Sequence, residues 1–192
     1  MGGLDVGQRT DHTALAVLRR DPDRWAVERV DQLPLGLPFR EQLELLQPQL
    51  DRLAVLVVDT GGTGQALPEL MDTSARVVSA VLVSGDSAPR NASGRLSVGK
   101  ARAVHNLLRM IRKGLLVVDR NALGRDLLRA ELARFAYTPG GKFKRMEAKR
   151  GHDDTVMALA LAVQLAMGHP TKQSDHRKHP KADFHPDPST GH

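Results

Sequence analysis

Residues 156 to 168, VMALALAVQLAMG, carry no charged side chain, and two adjacent aspartates, Asp153 and Asp154, precede them with only Thr155 between. The run is too short to span a bilayer and is interrupted by Gln164. It therefore reads as an apolar helix, from His152 to about Met167, that closes a soluble domain. A helix start needs only one carboxylate as a cap, and two side by side repel each other. Something else must account for the pair.

The rest of the chain supplies a frame for that helix. "GGLDVGQ", "HTALAVLRR" and "RWAVERVDQL" read as three strands of a meander, with the turn signal "DPD" between the last two. "FREQLELLQPQLDRL" has helical spacing, with Pro48 bending or ending it. "AVLVVDT" and "RVVSAVLVSG" are continuous apolar runs, as expected of buried strands. "GGTGQALPELMD" opens a helix after a glycine turn, and "DSAPRNASGR" reads as a polar loop. "LSVGKARAVHNLLRMIRKG" reads as an amphipathic helix ending at Gly114. "LLVV" is a short strand, "NALGRDLLRAELARF" a further helix, and "AYTPGGKFKRMEA" a hairpin with its tip at Gly140 and Gly141. The expected fold is α/β: a mixed sheet, an antiparallel three-stranded meander followed by parallel strands, with helices on both faces. One domain spans 1–168. From His169 on, four prolines and five histidines with a single large apolar residue predict a disordered polar tail, 169–192.

Composition narrows the chemistry. There is no cysteine, which excludes a disulfide framework and a thiolate metal site. The N-terminus turns polar within a few residues, so no secretory signal is expected there. Residues 90–150 hold 16 Lys and Arg against 4 Asp and Glu, whereas residues 1–89 hold 8 against 13. A basic half fused to an acidic one suggests a polyanion-binding face beside a site that needs carboxylates. The scarcity of aromatic residues, 3%, argues against a base-stacking platform for single strands. Sequence-independent contact with duplex phosphates is the better expectation, and it predicts affinity that falls steeply with salt. Arg90, Arg95, Lys100, Arg102, Lys142, Lys144 and Arg145 are the candidate contacts.

The acids recur at the ends of core elements. Asp5 sits in the first strand, Asp59 at the carboxyl end of "AVLVVD", and Asp153 with Asp154 at the start of the last helix. In open sheets, sites form at strand carboxyl ends. Carboxylates gathered there repel unless a hard divalent cation joins them. Mg²⁺ or Mn²⁺ takes oxygen ligands, and two such ions activate water and stabilise the leaving oxygen of a phosphodiester. Each acid also has a plainer reading: Asp5 as a turn residue, Asp59 or Asp153 as helix caps.

Several segments, "GLDVGQRTDHTALAVL", "VLVVDTGGTG", "SVGKARAVHNLLRMIRKGLLVV" and "ELARFAYTPGGKFKRMEAKRGHDDTVMALALAV", resemble the nuclease domain of the large terminase subunit of tailed bacteriophages, which has the ribonuclease H-like fold. They cover most of residues 3–166 in the family's order, and the "HDD" helix is the most specific of them. The resemblance implies that Asp5, Asp59 and Asp153 are catalytic and hold the metals, two Mg²⁺ or Mn²⁺ ions in the family's manner. Asp154 is implied as a further ligand or a support, Asp11 as an auxiliary ligand or a turn residue, and Lys100 as a residue facing DNA phosphate. His152 reads as a loop residue near the site. The implied activity is endonucleolytic cutting of concatemeric double-stranded phage DNA during genome packaging, by an isolated nuclease domain lacking the ATPase motor. The implied partners are that ATPase domain, the small terminase subunit and the portal protein, at the procapsid in the host cytoplasm, with no membrane.

Other readings stay open: a Holliday-junction resolvase of the same fold, an ATP-binding sugar-kinase or actin-like module suggested by "LDVG" and "DTGGTG", and a DNA-binding module without catalysis. "GRLSVGKA" fits G-x-x-x-x-G-K, but Ala101 stands where Ser or Thr should bind Mg²⁺, and no strand is expected immediately before Gly94.

Overall fold

The computed structural model describes residues 1–88, 90–92, 95–134 and 152–168. Eight strands form one sheet in the order β6-β7-β5-β4-β1-β2-β3-β8. They are β1 (Gly2–Asp5), β2 (Ala14–Arg20), β3 (Trp25–Gln32), β4 (Val55–Asp59), β5 (Arg76–Val83), β6 (Arg90–Ala92), β7 (Arg95–Gly99) and β8 (Leu116–Leu123). The first three run antiparallel as a meander. From β1 the sheet continues in parallel through β4, β5 and β7, and β8 joins β3 in parallel at the other side. The expected mixed sheet is therefore present.

Helices cover both faces. On one side α1 (Phe39–Leu50) buries Leu43, Leu46 and Leu50 against Leu4, Leu15, Leu56 and Val58 of the sheet. Pro48 lies within this helix, which ends two residues later. A short 3-10 turn, Gly62–Ala66, leads into the single-turn α2 (Leu67–Leu70). On the other side lie α3 (Lys100–Arg112), α4 (Arg125–Arg134) and α5 (Asp154–Ala166). Every residue of α5 from Asp154 to Gln164 is buried, as an all-apolar helix demands. It lies across β1 and β2 and packs against α3, with Asn106 of α3 donating to Gln164 at 3.0 Å in an otherwise apolar layer.

The approach of α5 to β1 depends on Gly3. A Cβ at position 3 would lie 2.1 Å from the carbonyl oxygen of Ala158 and 2.7 Å from the amide nitrogen of Ala162. Both are backbone atoms and cannot rotate aside. Gly3→Ala is expected to push α5 off the sheet, destabilising the protein by about 3 kcal/mol and lowering Tm by about 10 °C. A thermal melt followed by circular dichroism checks this; an unchanged Tm contradicts the close approach.

Four expectations need correction. Part of the polar "DSAPRNASGR" is not a loop: β6 pairs antiparallel with β7 in a hairpin at the sheet edge. "LSVG" belongs to β7, because Leu96 and Val98 are buried on alternate positions, and α3 begins only at Lys100. A strand does precede Gly94 closely, contrary to expectation. "GRLSVGKA" is still no phosphate cradle, because its Arg95–Gly99 stretch is itself extended. Finally, β8 runs through "NAL" to Leu123, and α4 starts after Gly124. That glycine has φ +73°, and a Cβ there would sit 2.0 Å from the Val30 carbonyl oxygen, so the chain breaks there. The expected hairpin around Gly140 and the tail 169–192 lie outside the described residues.

Candidate active site

Strand register sets the first pair of acids. Gly2, Gly3 and Leu4 lie opposite Leu56, Val57 and Val58 of the parallel neighbour. Asp5 and Asp59, one step further along, end adjacent strands at the same level. Side chains alternate along a strand, so Asp5 shares the face of Gly3, and Asp59 shares that of Val57, which packs against Leu161 of α5. Helix geometry brings the next acid. Asp154, Ala158 and Ala162 recur every four residues on one stripe of α5. Since Ala158 and Ala162 lie over Gly3, the stripe delivers Asp154 toward the carboxyl end of β1.

Electrostatics records the convergence. The carboxyl of Asp5 is held well above its usual range, first by burial, then by the charges of Asp59 and Asp154, with a smaller push from Asp153. Lys100, the first residue of α3, opposes the shift. Asp59 is raised mainly by burial; the N–H of Gly61, donating at 2.8 Å, and Lys100 hold it back. Asp154 is 4% exposed and is likewise raised by burial. It accepts the His12 N–H at 3.2 Å and Gln32 Nε2 at 3.4 Å. His152 lowers its carboxyl, whereas Asp153 and Asp11 raise it.

Neither aspartate caps α5. Asp153, at the N-cap, makes no side-chain capping bond. The role falls to Glu131 of α4, only 2% exposed. Its carboxylate accepts the N–H groups of Thr155 at 3.0 Å and Val156 at 3.3 Å, together with the Thr155 hydroxyl. Burial raises Glu131 and these bonds hold it down. Sequence reading passed over Glu131. Its one signal is spacing: it follows Leu128 by three residues and shares that residue's buried face.

The loop after β1 is fixed from inside the fold. Thr13 Oγ1 takes the Gly7 N–H at 3.0 Å and lies 2.6 Å from Gln42 Oε1, while Gln42 Nε2 donates to the carbonyl oxygens of Gly7 and Leu37. Asp11 on this loop is exposed and accepts Thr10 Oγ1 at 3.3 Å. Beside it, His12 meets His152 edge to face with ring centroids 4.6 Å apart.

Of the basic residues, Lys100 is exposed and lies close enough to act on Asp5 and Asp59. Arg102 instead forms a two-pronged ion pair with Asp86, at 3.0 and 3.1 Å, which occupies its guanidinium. Arg95 is exposed on β7, and Arg90 lies in β6. Lys142, Lys144 and Arg145 lie outside the described residues.

The donor set suits a hard dication. Asp5, Asp59 and Asp154 supply only oxygen. Burial raises all three carboxyls, and the charges of Asp59 and Asp154 add to the shift of Asp5 against Lys100; a divalent ion would offset both the burial and the mutual repulsion. Among the described residues, no helix is long and apolar enough to cross a membrane.

No protein-family model matches the chain. The terminase large subunit of Thermus phage G20c is 28% identical over 170 residues, covering 86% of this chain and 31% of that protein. The chain thus spans about a third of the length of the curated relatives it matches. The crystal structure of the large terminase nuclease from phage G20c superposes with a TM-score of 0.59 at 25% identity, covering 85% of this chain and 80% of that one. The large terminase nuclease domain of bacteriophage SPP1, solved with bound Mn, has a TM-score of 0.53 at 13% identity, covering 86% and 85%, and shares the fold. In sequence and in architecture this chain is similar to the nuclease domains of phage large terminase subunits, and its fold is the ribonuclease H-like one.

Proposed function

We propose that this chain is a divalent-metal-dependent endonuclease that cuts double-stranded DNA during phage genome packaging. One observation carries the reading: Asp5 ends β1 in a buried setting where Asp59 of β4 and Asp154 of α5 lie close enough that, after burial, their charges raise its carboxyl further. Asp5, Asp59 and Asp153 are the proposed holders of two Mg²⁺ or Mn²⁺ ions, with Asp154 and Asp11 completing the environment. Bound there, the ions supply an activated water and stabilise the leaving oxygen of the phosphodiester. The chain's own residues do the rest. Asp5 and Asp59 would present their carboxylates to the ions from adjacent strand ends, Glu131 holds the first turn of α5 so that Asp153 and Asp154 keep their places, and Lys100 sets a positive charge beside the acids.

The relatives' names support the packaging context, with the terminase ATPase domain, small subunit and portal as proposed partners in the host cytoplasm. Arg90, Arg95, Lys100, Arg102, Lys142, Lys144 and Arg145 are the proposed contacts to duplex phosphates, with Arg102 available only if its pair with Asp86 opens.

The test is Mn²⁺-dependent nicking of supercoiled plasmid by the native chain and by Asp59→Asn and Asp153→Asn. Both variants are expected to bind duplex DNA normally and to cut it at least about 100-fold more slowly. Undiminished cutting by both refutes the assignment. A four-way junction offered beside linear duplex separates the resolvase reading, and calorimetry with ATP separates the kinase-like one.

A further inference from the structure

We propose that His12, His152 and Asp154 form a second metal site, which takes a borderline transition-metal dication, Zn²⁺ foremost, in preference to Mg²⁺. One ligand atom from each of the three lies within 4.8 Å of the others. Their chemistry differs from the neighbouring carboxylates: imidazole nitrogen suits Zn²⁺, Co²⁺ and Ni²⁺, whereas Mg²⁺ seeks oxygen. Two histidines and one carboxylate, with a fourth position open to water, make a recurrent zinc set.

The ligands are prepared for that task. His12 Nδ1 lies 2.7 Å from the carbonyl oxygen of Leu33. A carbonyl only accepts, so Nδ1 carries the proton and the lone pair sits on Nε2. Metal-ligating histidines are commonly oriented in this way, through a backbone carbonyl behind the ring. Asp154 is held in place through Oδ2, which accepts the His12 N–H and Gln32 Nε2, and Glu131, which takes a 3.4 Å contact from the same Gln32 nitrogen, holds the helix turn beneath it. His152 Nδ1 stands 3.7 Å from Asp154 Oδ2, and its exposed side chain leaves an entry path from solvent. Asp154 thus faces two metal chemistries, nitrogen-rich on the side of the histidines and oxygen-only on the side of Asp5.

The inference does not depend on nuclease activity, and its test reads binding alone. The 192-residue chain is titrated with Zn²⁺ by calorimetry and with Co²⁺ by visible absorption, in the presence of excess Mg²⁺. The five histidines of 169–192 remain in every variant and set a common background. The native chain is expected to take one tight ion above that background, with an intense Co²⁺ band of low coordination number. His12→Ala and the exposed His152→Ala are expected to weaken it at least about 100-fold, with melting temperatures confirming that both fold. Asp5→Asn is expected to retain it. Equal affinity in the native chain and both histidine variants overturns the proposal. So does loss of the band in Asp5→Asn with retention in the histidine variants, which assigns the ion to the carboxylate cluster.

Discussion

Exchanging Asp5 for asparagine is expected to abolish metal-dependent cleavage and, in the same variant, to raise the melting temperature of the metal-free protein. Burial and the charges of Asp59 and Asp154 lift the Asp5 carboxyl well above its ordinary range. The folded state therefore binds that proton more tightly than the unfolded state, for which about 3.9 applies. Stability from this group is fully present below the unfolded value and is lost as pH rises through the folded one. At neutral pH the ionised, metal-free cluster repels itself, and the uncharged amide removes that repulsion. We expect Tm to rise by about 3 °C or more at pH 7, the response of a domain this size to roughly 1 kcal/mol. The metal-free native protein should lose stability as pH rises above the ordinary aspartate range, and Asp5→Asn should lose less. Added Mn²⁺ should stabilise the native protein most at the higher pH and the variant hardly at all. Cleavage should fall by about 1000-fold or more, since the lost interaction is with charge that develops in the transition state. A variant that melts lower than the native chain without metal, or cuts at the native rate, contradicts the reading.

Glu131→Ala is expected to cost about as much stability as Gly3→Ala. It leaves the Thr155 and Val156 N–H groups and the Thr155 hydroxyl without their acceptor at a helix start that is wholly buried. A buried donor left unsatisfied costs about 1–3 kcal/mol. Relief of burying a carboxylate offsets part of the sum, leaving a net loss of roughly 3 kcal/mol and about 10 °C in Tm. Glu131→Gln keeps a carbonyl acceptor and should recover more than half of that loss. Because Asp153 and Asp154 stand on this turn, single-turnover cleavage by Glu131→Ala should fall further than its unfolded fraction accounts for. Equal stability of the alanine and native proteins rules out this capping role.

Local pattern carried the framework of the fold. Alternation and apolar runs announce the meander, β4, β5 and α5, and the acids at their ends stand out because they interrupt core elements. The β6–β7 hairpin escaped because Ser, Asn, Pro and Gly around it are also what a loop uses; its pairing partner, not its composition, makes it extended. Glu131 escaped because an acid in the basic helix RDLLRAELAR reads as part of a solvated face. Only the long-range contact with Thr155 buries it. His12 read only as the first residue of the strand "HTALAVLRR"; the Leu33 carbonyl, just past the end of β3, supplies an orienting partner that no local pattern announces. Convergence of Asp5 with Asp154 rests on register and on the Gly3–Ala158 approach, neither of which sequence spacing encodes.

The packing of α5 on β1 joins nearly the first residues of the chain to the last described ones. Its consequence lies in biosynthesis. A ribosome must release almost the whole domain before Gly3, Ala14 and Ala16 can be covered and before Asp154 can reach Asp5. Contacts so distant along the chain fold slowly, and until then an unshielded sheet face is exposed to aggregation. Prematurely terminated chains would have neither a closed core nor an assembled acid cluster, so a shortened translation product would be an inert one.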